Sequence, residues 1–448
     1  MNQQTGLIFF PAFDWSLSAT HPEREERLLY TRDQIFEEGI LDLPQVVEYK
    51  PRLATPKDIA RTHICIPDVE AQVTEAHLAA AGAGLVLADA LMSGEIKNGF
   101  SLVRPPGHHS MRVVHGNRGF CNINNVAVLV DYLRARHKVQ RVAIVDTDVH
   151  HGDGTQDIFY HDPNVLFISF HQDGRTLYPG TGFPEEMGGP AAYGRTVNIP
   201  LPPGTSDEGL HYVLDNLVLP ILREFQPDLI INSAGQDNHY SDPLGGMKIS
   251  AQGYARMAQK LQPDLAVLEG GYAVESALPY VNLGIIMAMA GLDFSGIREP
   301  DFDPEALRQD ARITNYISQL VDEIGQLWSR QSNKSQEFTL TNGYYQRTKH
   351  LFYDTCFIRE EQLEKVACCS QCAGLMDLVS AANLNKGRAG KVRALILPFQ
   401  SCPGCQQAAE NLYKQAKKQG GWEHIYLSDR SGDRYLHYDG LAKKAREY

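Results

Sequence analysis

Several features of membrane and secreted proteins are missing from this 448-residue sequence. No run approaches the roughly 18 uncharged apolar residues of a membrane span. Residues Met1 to Phe13 lack the basic and apolar regions of a secretory signal. Eight cysteines in a chain of this length do not indicate a disulfide framework. We therefore expect a cytoplasmic protein without a membrane partner.

An excess of basic charge is also missing. The chain has 42 Lys and Arg against 54 Asp and Glu, which gives a formal net charge of −12. Direct nucleic-acid binding, which needs basic clusters, is therefore not expected. A negative surface would instead attract a basic peptide or a polyamine. The 43% hydrophobic and 21% charged composition is typical of a globular protein, and it leaves the oligomeric state undetermined.

Short apolar segments alternate with longer helical ones over the first 300 residues. The predicted strands are Phe100–Val103, Val142–Asp146, Val165–Phe170, Asp228–Asn232 and Leu265–Leu268. The predicted helices include Val69–Met92, Asn125–His137, Glu208–Phe225 and Ala251–Leu261. This alternation predicts an α/β fold whose central parallel sheet is covered on both faces. Ligands bind such sheets beyond the carboxyl ends of the strands.

Polar clusters follow each of these strands directly, which places them at that edge. In Asp148-x-His150, alternation along an extended segment puts both side chains on one face. With Asp237 from another strand end, they form a set of zinc ligands that leaves a coordination position open for catalysis. Zinc would lower the pKa of a water molecule and polarise a carbonyl group.

The remaining polar residues supply the other groups that amide hydrolysis needs. His108 and His109 are candidates for proton transfer. Asp146 and Asp153 are carboxylates able to fix their tautomers. Tyr272, after two glycines, can donate its hydroxyl to a developing oxyanion.

At these residues the sequence resembles the histone deacetylase superfamily, which includes bacterial acetylpolyamine amidohydrolases. Its motif sequences are more similar to class II than to class I members of that superfamily. The matching stretches are Arg104–Ser110, Gly119–Ala127, Asp146–Gln156, Tyr178–Gly182, Asp242–Leu244 and Leu268–Tyr272. The resemblance implies an arginase/deacetylase three-layer sandwich with a central parallel sheet. It implies a hydrolase that removes an acetyl or other acyl group from an amine such as acyl-lysine.

The resemblance also implies a role for each matching residue. Asp148, His150 and Asp237 would be the zinc ligands, although ferrous iron suits the same set. His109 would be the general base and acid, backed by Asp153, and His108 its electrostatic partner, backed by Asp146. Tyr272 would polarise the carbonyl group. The substrate tunnel would be lined by Phe120, Tyr178 and Leu244. A potassium ion is implied around Asp146, Asp148, His150 and Ser169.

The sequence departs from the family pattern in two informative places. Leu244 stands where polyamine-selective members carry a glutamate, which favours acyl-lysine over an acetylpolyamine without excluding the latter. Asp68 is the ungapped candidate for the rim acid that holds the substrate backbone in the family.

Three other interpretations stay open. A small-metabolite amidohydrolase would use the same groups. An arginase-type ureohydrolase shares the fold but needs carboxylates for two manganese ions, whereas Asn238 and His239 follow Asp237 here. The third alternative is that the protein is not primarily a hydrolase. It would then only bind a ligand in the same pocket, or its function would depend on the C-terminal region as a redox or partner-binding module.

The C-terminal region differs in composition from the rest of the chain. We predict a deacetylase-like catalytic domain over residues 1–330, a polar linker near residues 331–336 and a smaller domain over residues 337–448. Two CxxC pairs, Cys369/Cys372 and Cys402/Cys405, indicate a second, structural zinc site. A pairing of Cys368 with Cys372 is an alternative for the first. A redox dithiol is the alternative for the second, because Cys402-x-x-Cys405 lies between a strand-like and a helical segment.

Overall fold

The structure, a computed structural model, describes residues 4–18, 20–65, 70, 72–331, 338–383 and 389–448. The predicted rim acid Asp68 lies outside these residues. Residues 332–336 of the predicted linker and residue 337, the predicted start of the second domain, also lie outside the described residues. Gln331, the first residue of the predicted linker, is the last residue of a helix.

The first ten strands, in chain order, are β1 Thr5–Phe10, β2 Val46–Tyr49, β3 Ile64–Cys65, β4 Asn98–Val103, β5 Val113–Val114, β6 Val142–Asp146, β7 Val165–Gln172, β8 Thr196–Leu201, β9 Leu229–Ala234 and β10 Leu265–Leu268. Eight of them form an all-parallel sheet in the order β2-β1-β4-β10-β9-β6-β7-β8, and β3 pairs with β5 separately. Each predicted strand is present in this sheet, so the α/β fold with a central parallel sheet is confirmed.

The helices are α1 Leu29–Glu37, α2 Pro56–Ala60, α3 Glu75–Met92, α4 Asn125–His137, α5 Asp153–Phe159, α6 Asp207–Val213, α7 Leu219–Phe225, α8 Ala251–Leu261, α9 Leu278–Ala290, α10 Ala311–Gln331 and α11 Pro403–Gln419. The helix predicted over 208–225 is interrupted by a π-helical segment at Leu214–Val218. Pro220, which follows this segment, has no N–H with which to continue the regular pattern.

Two buried apolar clusters pack on opposite faces of the parallel sheet. Successive side chains of a strand point to opposite faces of the sheet. Val145 therefore packs in the cluster with α8 and α9, whereas its neighbour Ile144 packs in the cluster with α3 and α4. Helix α3 has the length and apolar composition of a membrane span, but 67% of it is buried inside the protein. It is thus a core helix of this layer.

The C-terminal region forms a second eight-stranded sheet, which the sequence did not predict. Its strands are β11 Leu340–Thr341, β12 Tyr344–Tyr353, β13 Ile358–Ala367, β14 Met376–Asn383, β15 Ala389–Leu397, β16 His424–Asp429, β17 Arg434–Asp439 and β18 Lys444–Glu447. They lie side by side in chain order, and all pairs are antiparallel except β15 with β16.

This second sheet packs directly against the first domain. Leu378 of β14 and Val392 of β15 belong to the same buried cluster as α3 and α4. Around this shared core, Arg61 Nε donates to Asp433 Oδ1 at 2.8 Å, and the buried Lys349 forms ion pairs with Asp157 and Glu364. The position of the C-terminal strands relative to the parallel sheet is therefore fixed by both apolar and charged contacts.

Candidate active site

The predicted site residues lie at the carboxyl ends of four strands that are neighbours in the sheet, β4, β10, β9 and β6. Each strand ends in a turn that carries part of the set: His108 and His109 after β4, Tyr272 after β10, Asp237 after β9, and Asp148 with His150 after β6. Because parallel strands end at the same edge, residues up to 164 positions apart in sequence meet there.

Asp148, His150 and Asp237 form a group able to hold a metal ion. Their ligand atoms all lie within 4.8 Å of one another. His150 Nδ1 lies 3.1 Å from Asp148 Oδ1 and 3.2 Å from Asp237 Oδ2. Asp237 Oδ2 is buried and accepts no hydrogen bond from the described residues. Two carboxylates and one imidazole with a vacant acceptor fit a divalent cation such as zinc.

Electrostatics at this group also favour a bound cation. Burial alone would lower the pKa of His150, but the carboxylates of Asp148 and Asp237 outweigh it and raise that pKa to about 10. The same carboxylates would stabilise a metal ion in the place of that proton.

Two glycines allow the carboxylates to lie against the backbone. A Cβ at Gly270 would lie 2.2 Å from Asp237 Oδ2 and 2.6 Å from Asp148 Oδ2, and one at Gly235 would lie 2.3 Å from the Asp148 Cα. Because residue 270 has no side chain, the Asp148 carboxylate can approach the backbone, and Gly270 N donates to Asp148 Oδ2 at 2.7 Å. Val149 N donates to Asp237 Oδ1 at 2.8 Å. The backbone thus fixes the orientation of both carboxylates.

His108 lies between two carboxylates. Its Nδ1 is 3.1 Å from Asp146 Oδ2, and its Nε2 is 3.7 Å from Asp148 Oδ1. Burial opposes its charge, but Asp148 and Asp146 raise the pKa of His108 well above its usual value. His108 therefore carries a positive charge beside the metal group.

His109 lies beside it in a different environment. Its Nδ1 is 2.8 Å from Asp153 Oδ1, and Arg118 forms an ion pair at 2.5 Å with the other oxygen of Asp153. Burial, with the charge on His108, lowers the pKa of His109 to about 3, so its ring is neutral. With Nδ1 held by Asp153, Nε2 is the nitrogen free to accept a proton.

Tyr272 is buried and held by several contacts. Its backbone N–H donates to Asp242 Oδ2 at 2.6 Å, its ring packs edge-on against Phe120, and the Arg27 guanidinium lies 4.8 Å from the ring centroid. Burial raises the pKa of the Tyr272 phenol well above 10, so the hydroxyl stays protonated and can donate.

A cavity of about 280 Å³ joins these groups to solvent. It is lined by Pro106, His108, His109, Gly119, Phe120, Asp148, His150, Leu177, Tyr178, Leu244, Tyr272 and Asp354. All three predicted tunnel residues are among them. The Tyr178 ring lies edge-on to His109, 5.1 Å away.

The sequence analysis missed several residues that support this site. Glu269 Oε2 accepts hydrogen bonds from Gly107 N at 2.6 Å and His108 N at 3.0 Å, which holds the two-histidine turn. The sequence motifs could have pointed to three of the missed residues, because Asp242 and Glu269 lie within matching stretches and Arg118 lies directly before one. Asp354, from the second sheet, had none.

The predicted potassium site stays a prediction. Asp146 and Ser169 are paired neighbours on β6 and β7, so the predicted residues do lie together.

The four cysteines of the CxxC pairs also converge. Their sulfur atoms lie within 4.8 Å of one another, with Cys369 to Cys402 at 3.7 Å and Cys372 to Cys405 at 3.6 Å. Both distances exceed the roughly 2.05 Å of a disulfide bond. Cys368 is exposed and lies outside this group. The structure thus places Cys369, rather than Cys368, with Cys372.

Comparison with known proteins identifies the family. Residues 67–283 match the family described as Histone deacetylase domain. A probable deacetylase of Archaeoglobus fulgidus is 45% identical over 349 residues, which cover 71% of this chain and 96% of that protein. A histone deacetylase-like amidohydrolase of Pseudomonas aeruginosa is 36% identical over 55% of this chain and 67% of that protein. The crystal structure of the HDA15 HD domain matches with a TM-score of 0.63 and 29% identity, over 74% of this chain and 97% of that one.

The chain belongs to the histone deacetylase superfamily. It is a hydrolase that acts on amide bonds. The family is generally metal-dependent, and its substrates are acylated amines. The second sheet lies beyond the residues of the family match, which end at 283.

Proposed function

We propose that the protein is a zinc-dependent deacylase that releases acetate or another acyl group from an acyl-lysine-like amine. The observation that carries this proposal is that Asp148 and His150, which form one metal-ligand group with Asp237, line the same cavity as His109 and Tyr272. Among the described residues this centre has a single group of three metal ligands, which supports one metal rather than the two of an arginase-type enzyme.

In this proposal, zinc bound to Asp148, His150 and Asp237 supplies an activated water molecule and polarises the acyl carbonyl. His109, neutral and oriented by Asp153, accepts a proton at Nε2 and returns it to the leaving amine. His108 contributes a fixed positive charge. Tyr272 donates its hydroxyl to the oxygen that becomes negative in the transition state.

The tunnel walls support the substrate class. Phe120, Tyr178 and Leu244 give the cavity an apolar and aromatic part of its wall, which suits the aliphatic arm of an acylated amine. Leu244 adds no charge to the wall, so we place acyl-lysine before an acetylpolyamine. A small-metabolite amide remains the second candidate for the same chemistry.

The test combines metal analysis with assays on acyl-lysine peptides and acylpolyamines, using the wild-type protein and Tyr272→Phe. We expect wild-type turnover and a loss on the order of 10²–10³-fold in kcat for Tyr272→Phe, because one oxyanion donor is removed. Tyr316→Phe, on an exposed part of α10, is the matched control and should keep full activity. Zinc-loaded wild type without turnover on any substrate would refute the proposal.

We further propose that the four cysteines hold a structural zinc ion. Four sulfurs, each about 2.3 Å from a central zinc, lie about 3.8 Å apart in a tetrahedron. The two sulfur distances near 3.7 Å agree with that geometry and favour zinc over a redox dithiol confined to Cys402 and Cys405. Such thiolates persist in a reducing compartment, so a cytoplasmic location is part of this proposal.

A further inference from the structure

The wall of the active-site cavity includes one residue from the second sheet. Strands β12 and β13 pair up to Tyr353 and Ile358, and the four residues between them form a tight turn. Asp354 is the first residue of that turn and lines the cavity together with Phe120 and Tyr178. A carboxylate from outside the family match therefore faces the mouth of the catalytic cavity.

The turn is held in place by contacts on both sides of Asp354. Tyr353 donates its hydroxyl to the Val113 carbonyl at 3.1 Å, and Thr355 Oγ1 donates to Asn117 Oδ1 at 2.9 Å. Cys356 packs against Gly116, where an added Cβ would lie 3.1 Å from its sulfur. Contacts of Tyr353 before Asp354 and of Thr355 and Cys356 after it thus fix Asp354 relative to the segment that leads to Phe120.

Only one of the two Asp354 oxygens is engaged. Oδ1 accepts a hydrogen bond from Gly119 N at 3.0 Å and one from the Tyr178 hydroxyl at 3.5 Å. Among the residues that the structure describes, none donates a hydrogen bond to Oδ2. A carboxylate can accept about four hydrogen bonds, so the half-buried Asp354 retains acceptor capacity at the mouth.

We propose that Asp354 is a substrate-binding residue, so that the second sheet takes part in substrate recognition. Its free oxygen accepts a hydrogen bond from an N–H donor near the acylated arm, which would be a main-chain amide of a peptide or the ammonium group of a polyamine. This inference rests on the proposed deacylase function and adds a recognition element to that same site.

The test uses Asp354→Ala and Asp354→Asn in the full chain. Three substrates are compared: an acetyl-lysine peptide, an N-acetylpolyamine and a neutral acetylated alkylamine that has neither a peptide backbone nor an ammonium group. We expect Asp354→Ala to raise KM on the order of tenfold for either the acetyl-lysine peptide or the N-acetylpolyamine, with kcat retained. The neutral alkylamine should keep its wild-type KM, because it has no donor for Asp354.

Asp354→Asn separates support of the Gly119 loop from substrate binding. Asparagine keeps one oxygen for Gly119 N but replaces the free oxygen with an NH2 group, which cannot accept a hydrogen bond. We therefore expect Asp354→Asn to raise the same KM as Asp354→Ala; a raised peptide KM in both variants indicates a main-chain donor, whereas a raised polyamine KM in both indicates an ammonium donor. Glu361→Gln, an exposed carboxylate on β13, is the control for the charge change and should match wild type.

Two results would overturn the inference while leaving deacylation intact. One is an unchanged KM for every substrate in both variants, provided that wild type is active. The other is an equal loss on all three substrates, the neutral one included, which would mean that Asp354 only supports the Gly119 loop. A wild-type protein inactive on every substrate would instead count against the proposed function itself.

Discussion

Gly270 illustrates how single residues determine this site. Its missing side chain lets Asp148 and Asp237 approach the turn after β10, and its N–H donates to Asp148. Both carboxylates are fully buried, and backbone N–H groups fix their orientation. The identity of residue 270 therefore controls the geometry of ligands that come from two other strands.

We expect Gly270→Ala to lose the metal ion of this centre and at least about a hundredfold of the activity. Changes in residues that only orient metal ligands cost about 10–100-fold, and here the ligands themselves must move. Metal content by mass spectrometry and kcat/KM would measure it. Gly296→Ala is the matched control, since a Cβ there meets no atom within 4 Å. Full metal content in Gly270→Ala would contradict the geometry described above.

At the scale of elements, the sequence predicted five of the eight parallel strands, because each of the five is a short apolar run followed by a polar turn; β1, β2 and β8 were not predicted. It did not predict β13, although burial alternates along that strand. Three of its inward residues, Glu360, Gln362 and Glu364, are polar, so no apolar alternation is visible. Glu360 contacts His115 and Ser380, Gln362 donates to Glu360, and Glu364 pairs with Lys349. Most of these partners lie on other segments, so the local pattern of β13 does not reveal them.

The loops that carry the cysteines give a prediction at this scale. Cys369 and Cys372 follow β13, whereas Cys402 and Cys405 begin α11, so a zinc ion would join two loops of the second sheet. We expect Cys372→Ser to lose one zinc ion per chain and to lower Tm by several degrees, as a structural metal site contributes folding free energy.

Cys368→Ser is the control for that variant, because Cys368 is adjacent in sequence but exposed and outside the group. It should keep both the metal content and the Tm of wild type. If Cys368→Ser lost the zinc and Cys372→Ser did not, the assignment of the ligands would be wrong.

For the whole molecule, the contact between the two sheets depends on charged pairs that respond to acid. Burial opposes ionisation of Asp433, Glu360 and Glu364, but their partners outweigh it and lower each pKa. The partner in the first domain is Arg61 for Asp433 and His115 for Glu360, whereas Glu364 is paired with Lys349 of its own sheet and with His161 of the first domain. Each group thus has a lower pKa in the folded than in the unfolded chain. Its contribution to stability is present above the unfolded pKa, near 4, and is lost as the pH falls through the folded value.

We therefore expect Tm to fall steeply below about pH 4, with the junction of the two sheets becoming accessible to an acid-active protease. Asp433→Asn should lower Tm at pH 7 and reduce the difference between pH 7 and pH 3. Asp322→Asn, an exposed residue of α10, should change neither value. A wild-type Tm that is constant from pH 7 to pH 3 would refute this account.

The hydrogen bond from Gly119 to Asp354 joins residues 235 positions apart. On a ribosome that adds about 5–20 residues per second, on the order of ten seconds separate the synthesis of Tyr272 from that of Asp354. During that interval the nascent chain already contains every predicted ligand of the catalytic metal and every proton-transfer residue, but one wall of the cavity mouth has not yet been made. The last part of this wall to be synthesised thus lies beyond residue 283, where the match to the family ends.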